Sequence, residues 1–171
     1  MGLYIYFNNR GGRLTMANWC SNHVEYEGEE ANISSLLEEL RELEKENEKT
    51  GSGVRPSEEG DLRYMFDLQV ADEYFLFESK WIPANDSLKF LAKKHRVILE
   101  NSYYEPGMMI YGKWTSDGET EEDINLDQED WDSVIAGDEM ASHFIYNGEE
   151  YECEEDAFDL ILKEKIKNFG D

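Results

Sequence analysis

Residues 62–70 alternate: Leu62, Tyr64, Phe66, Leu68 and Val70 on one side, Arg63, Met65, Asp67 and Gln69 on the other. A period of two is the signature of a β-strand with one buried face. The segments around it repeat the message in a fixed order. Residues 18–27 (NWCSNHVEYE) read as a short strand. From Asn32, the positions Ile33, Leu36, Leu37, Leu40 and Leu43 follow helical spacing and fade into a charged run, an amphipathic helix. Thr50–Gly60 is a loop, broken by Gly51, Gly53, Pro56 and Gly60. After the 62–70 strand, Ala71-Asp72-Glu73 turns into a second strand, Tyr74–Trp81. Pro83, with Asn85, Asp86 or Ser87 as candidate caps, opens a helix through Leu88, Leu91 and Ala92 to His95. Val97–Tyr104 and Met108–Trp114 are further strands, joined by Glu105-Pro106-Gly107. The order β-α-β-β-α-β-β predicts an α+β chain: a ferredoxin-like split βαβ sandwich with one extra strand.

Beyond Trp114 the character changes. Thr115–Asp159 holds eighteen Asp or Glu residues and no Lys or Arg, supplying most of the chain's net charge of −24. Such a block repels itself and attracts basic surfaces over a Debye length of roughly 10 Å. Residues 115–132 lack a clean period and are expected as a surface loop. Phe144–Tyr151 carries an Asn147-Gly148 hairpin signal. Phe158, Ile161, Leu162, Ile166 and Phe169 mark a terminal amphipathic helix, with Lys163, Lys165 and Lys167 towards its end, where cations suit the dipole. The expected organisation is therefore a leader (1–15) outside the fold, a ferredoxin-like domain (16–114), and an acidic C-terminal extension (115–171) with a hairpin and a helix.

At 171 residues, 40% hydrophobic and 13% aromatic, the chain can build a real core despite its charge. No apolar run approaches the roughly 20 residues that span a bilayer. The opening residues lack the basic and apolar regions of a signal peptide. Two distant cysteines, Cys20 and Cys153, fit a reducing cytoplasm better than a disulfide framework. Ten Lys against six Arg, with Asn and Ile common, argue against a halophile's acidity. Direct binding to nucleic-acid phosphates has the wrong sign of charge.

Met16-Ala17-Asn18-Trp19-Cys20-Ser21-Asn22, then Phe77-Glu78-Ser79-Lys80-Trp81-Ile82-Pro83, then Tyr104-Glu105-Pro106-Gly107-Met108 followed by Gly112, occur in that order. Together these segments resemble the YubB-like ferredoxin-like domain family of phages and conjugative plasmids, over roughly Met16 to Trp114. The resemblance implies a ferredoxin-like fold and a mobile-element setting; the family has no established activity. Family members commonly carry another Trp-containing segment before the Trp-x-Pro motif, whereas here Phe66–Tyr74 has no Trp. The acidic extension falls outside the resemblance.

Several constellations carry residue types that chemistry could use. Cys20 and His23 have the spacing of half a zinc site, but Cys153, His95 and His143 supply no second close pair. A Cys–His nucleophile lacks an orienting third group. Asp123, Asn125 and Asp127 match the first three ligand positions of a calcium loop, yet Gln128 replaces its glycine and Val134 its bidentate glutamate. Paired carboxylates are too common here to mark an acid–base site. Trp19, Trp81 and Trp114 read as core or sandwich-edge aromatics rather than base-stacking platforms. Lys89, Lys93, Lys94 and Arg96 form a basic cluster that balances a helix dipole and part of the acid charge. No catalytic residue, metal or cofactor is expected.

What remains is the acidic block. Duplex DNA presents one charge per about 1.7 Å of axis; nine carboxylates across residues 117–132 of an extended chain average about 6 Å apart. The expected partner surface is Asp117, Glu119, Glu121, Glu122, Asp123, Asp127, Glu129, Asp130 and Asp132, with Trp131 as aromatic anchor. Charge and resemblance together point to a non-enzymatic cytoplasmic protein of a phage or plasmid. Its expected role is to bind and block a basic host nucleic-acid-handling protein (a nuclease, methylase or CRISPR effector) by nucleic-acid mimicry. An interaction or assembly module whose acidity serves only solubility is the alternative.

Arg10-Gly11-Gly12 can be encoded by a ribosome-binding purine run, with Met16 at a suitable distance. Mass spectrometry of the native protein should give a chain starting at Met16; a mass that includes residues 1–15 would refute this.

Overall fold

The computed structural model describes residues 18–138 and 141–169; the expected leader and the start at Met16 lie outside the described residues. Strands β1 (Trp19–Glu27), β2 (Phe66–Val70), β3 (Tyr74–Lys80), β4 (Ile98–Glu105), β5 (Ile110–Ser116) and β6 (Glu121–Asn125) form one sheet in the order β2-β3-β1-β4-β5-β6. All its pairings are antiparallel. Helices α1 (Glu30–Thr50) and α2 (Asn85–His95) are the crossovers of the two split βαβ halves. The first four strands have the ferredoxin-like order, as the periodicities indicate.

The core lies between the helices and one sheet face. In β1, Cys20, Asn22 and Val24 are buried while Trp19, Ser21, His23 and Glu25 are exposed. The buried side joins Phe75 and Phe77 of β3, Leu99 and Tyr103 of β4 and Trp114 of β5, under Leu36, Leu40, Leu88 and Leu91 of the helices. Each such side chain contributes roughly 1.5–3 kcal/mol relative to exposure. Inside this layer Asn101 Nδ2 donates to Asn22 Oδ1 and to Asn85 Oδ1, both at 3.0 Å.

Three features differ from the sequence expectation. First, α1 continues well past Leu43, to Thr50. It ends because Gly51 takes the left-handed conformation (φ 62°) and its N–H returns to Asn47 O. Second, the 62–70 alternation is broken. Asp67 has φ 50° and the register with β3 shifts between Phe66 and Gln69. This bulge puts Met65 in the core on one side and Leu68 on the other. Asn47 holds it from α1: its Oδ1 accepts from Leu68 N at 3.0 Å and its Nδ2 donates to Ser52 O at 2.7 Å. Third, the sheet has two strands beyond the ferredoxin-like four, because residues expected in a loop form β6. Ser116 pairs with Glu121 and Gly112 with Asn125, so the sheet runs on past residue 114.

The rest of the chain folds over the end of the other sheet face. A short helix α3 (Gln128–Ser133), a small sheet of β7 (Ile135–Ala136), β8 (Phe144–Tyr146) and β9 (Glu149–Tyr151), and the terminal helix α4 (Glu154–Phe169) follow β6. Asn147 (φ 51°) and Gly148 (φ 83°) make the two-residue β8–β9 turn that their sequence signalled. Phe158, Ile161 and Leu162 of α4 are buried with Ile124 and Leu126 in a second core. Lys113, which projects from the same face as its partner Ile124, marks this as the face opposite Trp114.

Asn47→Ala would leave the Leu68 N–H and Ser52 carbonyl without their partners. Urea unfolding should show a loss of about 2 kcal/mol, with an unchanged fold by circular dichroism.

Candidate functional site

The nine carboxylates of residues 117–132 divide by what holds them. Asp117 folds the β5–β6 turn, its Oδ1 accepting from Glu119 N at 2.9 Å and Thr120 N at 2.8 Å, which lowers its pKa. Gly118 (φ +92°) then lies against α2, where a Cβ would stand 2.3 Å from Lys93 Cα. That close approach brings Glu119 to Lys93 and Glu121 to Lys89, each at 3.0 Å. Lys89 lowers the Glu121 pKa, helped by Trp114 Nε1, which donates to its Oε2 at 3.2 Å. Asp123 accepts from the Tyr103 hydroxyl at 2.5 Å. Asp127 caps α3, accepting from Glu129 N at 2.9 Å and Asp130 N at 3.1 Å, while Asp130 Oδ2 accepts from Asp127 N at 2.8 Å. Lys165 of α4 ties down both acids, at 2.8 Å to Asp127 and 2.5 Å to Asp130, and is the main cause of the lowered Asp127 pKa.

Four of the nine thus answer cations of the chain itself. Glu122, Glu129 and Asp132 are exposed and make no ion pair among the described residues. Trp131, expected as an exposed anchor, packs inward instead: its ring lies 4.3 Å from Phe158 and stacks with Tyr104 at 6.4 Å. Helical phase explains this. On the short helix α3, Glu129 and Asp132 face out and the tryptophan faces the second core.

The residues weighed for metal chemistry are not brought together. Cys20 and His23 project from opposite faces of β1, so they cannot share an ion. Burial pushes the Cys20 thiol up to about 12, which removes the thiolate that a nucleophile or ligand needs. Asp123 and Asn125 lie in β6 and Asp127 caps α3, so no calcium-type turn forms. His95 is buried between Ser35 Oγ (3.1 Å) and Glu39 Oε2 (2.6 Å). Among the described residues no group of three or more His, Cys, Asp or Glu is arranged for a metal. No helix of the described residues is long and apolar enough to cross a membrane. Trp114 is in the core, whereas Trp19 and Trp81 are 44% and 49% exposed, as edge aromatics.

A feature that the sequence reading missed is the uncovered part of the second sheet face. Cross-strand register places Glu78, Ser21, Tyr104 and Tyr111 in one row across β3, β1, β4 and β5. Beside that row runs a cleft of about 680 Å³, flanked by Glu155 of α4 and the bulge residue Asp67. Its lining includes three carboxylates, Asp67, Glu78 and Glu155, and no Lys or Arg. Ser21 Oγ donates to Glu78 Oε1 at 3.4 Å, while Glu78 Oε2 is shielded from solvent and has no hydrogen-bond partner among the described residues. Burial raises the Glu78 pKa above its ordinary 4.5, with Asp67's charge adding and the Ser21 hydroxyl opposing. The signal was present in the alternation of Tyr74, Leu76, Glu78 and Lys80, which sets an acid in the middle of a strand's second face.

This architecture is a split βαβ sandwich whose far strands are roofed by a small C-terminal unit. The chain belongs to the family described as the ferredoxin-like domain in Api92-like protein, whose match covers residues 65–157, just over half of the chain. The matched region runs from β2 into α4 and includes the acidic segment, which the motif resemblance had left out. No curated protein and no solved structure matches the chain.

A carboxyl with a raised folded-state pKa weakens the fold at pH values above it, and that penalty vanishes below the ordinary 4.5 where both states are protonated. Glu78→Gln should therefore raise the melting temperature at pH 7, and the gain should shrink towards zero as pH falls to 4. A variant that melts lower than the parent at pH 7 would contradict this account.

Proposed function

We propose that this is a non-enzymatic acidic protein of a mobile element, acting in the host cytoplasm. It binds and blocks a basic, nucleic-acid-handling host protein by presenting carboxylates where that protein expects phosphates, as an antirestriction or anti-CRISPR inhibitor would. The observation that supports this most is the charge left over after folding. Residues 115–159 contribute eighteen acids and no Lys or Arg. The lysines reaching residues 117–132, Lys89, Lys93 and Lys165, pair with only four carboxylates there. An excess held on a strand and a capped helix, rather than on a loose loop, is preorganised for a rigid basic groove, which lowers the ordering cost of binding. Electrostatic steering then favours fast association. The phage and plasmid setting comes from the motif resemblance. Glu122, Glu129 and Asp132 are the outward members of the proposed contact; Glu119, Glu121, Asp127 and Asp130 position them.

The four in-chain ion pairs also favour a second reading, an assembly module whose acid charge is structural and solubilising. A pull-down from host lysate at about 0.1 M and then 0.5 M salt, with mass spectrometry, separates the two. Mimicry expects a nucleic-acid enzyme held at low salt and shed at high salt or by competing DNA. Combined Glu122→Gln, Glu129→Gln and Asp132→Asn should weaken that capture about tenfold or more. Unchanged capture by the triple variant, or no basic partner at either salt, would overturn the mimicry reading.

A further inference from the structure

The cleft on the open sheet face has a chemical demand that the described residues leave unmet. Glu78 Oε2 is screened from water and has no donor among the described residues, so Oε1, which accepts from Ser21 Oγ at a long 3.4 Å, is the oxygen left to take a further hydrogen bond. The other acids on the cleft wall, Asp67 and Glu155, add negative potential, and no Lys or Arg lines it. Opposite Glu78, beyond Ser21, stands the ring of Tyr104, which meets Tyr111 edge-on with centroids 5.7 Å apart. Neighbouring strands lie about 4.8 Å apart, so acid and ring flank a slot roughly 10 Å wide.

The geometry points to this cleft as the subsite that receives an arginine side chain of the basic partner. The inference rests on the proposed function above and gives its binding face a specific pocket. A guanidinium over Ser21 donates to Glu78 Oε1 and lays its planar face towards the tyrosines. Arginine suits this slot better than lysine because its fork matches a carboxylate, its plane stacks on rings, and it sheds water more readily. Asp67 and Glu155 supply attraction at the rim without having to touch the ligand. A metal ion is the poorer occupant, since no group of three or more ligating side chains is arranged for one among the described residues.

The test is an amide NMR titration of the full chain with N-acetyl-arginine amide, beside N-acetyl-lysine amide and the neutral N-acetyl-citrulline amide. Saturable shifts should centre on Ser21, His23, Gln69 and Ser102, be weaker for lysine and vanish for citrulline. Glu78→Gln, whose spectrum reports directly whether it folds, should weaken arginine binding about tenfold. The surface variant Glu122→Gln/Glu129→Gln/Asp132→Asn should leave the cleft shifts in place. No saturable shift at the cleft residues up to millimolar arginine amide, or equal shifts in Glu78→Gln, overturns the inference. If Glu78→Gln still captures the basic partner as well as the parent while the triple surface variant fails, the pocket is refuted and the mimicry reading stands. If the triple variant captures normally and the cleft still takes arginine, the reverse holds.

Discussion

Phe158 packed against Trp131, with Tyr111 at 5.3 Å, lets a stretch without a cation of its own fold onto the sheet. Residues 115–159 repel one another, and charge alone would leave them extended and solvated. Apolar burial is non-directional and only weakly dependent on salt, so a compact knot of Ile124, Leu126, Phe158, Ile161 and Leu162 can offset that repulsion. With the knot in place, Lys165 of α4 pins Asp127 and Asp130, while Lys89 and Lys93 of α2 hold Glu121 and Glu119. The charge arrangement on the surface is thus a consequence of hydrophobic contact beneath it.

How far the sequence revealed this depended on which physical signal dominated locally. Strands β1, β3 and β4, both crossover helices and the terminal helix announce themselves through periodicity, because in each the core contact is made by residues at regular spacing, and the Asn147-Gly148 turn does so through its residue types. Strand β6 does not: Glu121, Glu122 and Asp123 have poor strand propensity, and only Ile124 points to a core. Its strand state is imposed by β5 and by lysines that are distant in sequence. The bulge at Asp67 is hidden for a related reason. An unbroken alternation reads the same whether or not one residue slips, and it is Asn47, from another element, that fixes the slip.

The site was legible in outline and not in detail. Composition singled out the acidic block, while its division into pinned and outward carboxylates needed the pairing of β5 with β6. Trp131 looked like an exposed ring among acids because a six-residue helix is too short to show a period. The cleft beside Glu78 arises from the register of four strands and the position of α4, neither of which a single segment encodes. Most of what distinguishes this chain from a bare ferredoxin-like sandwich lies in contacts between its two halves.

Each margin of the main sheet restricts what could be added to it. On one side β6 offers its free backbone groups beside Glu121, Glu122 and Asp123, so another strand laid there would have to bring compensating cations. On the other, β2 is distorted at Asp67, and Val54 bridges to Met65 beside it. A second copy laid β6 against β6 would set the same acids beside one another, which disfavours that pairing. A partner of opposite charge is the kind of strand that such an edge would still admit.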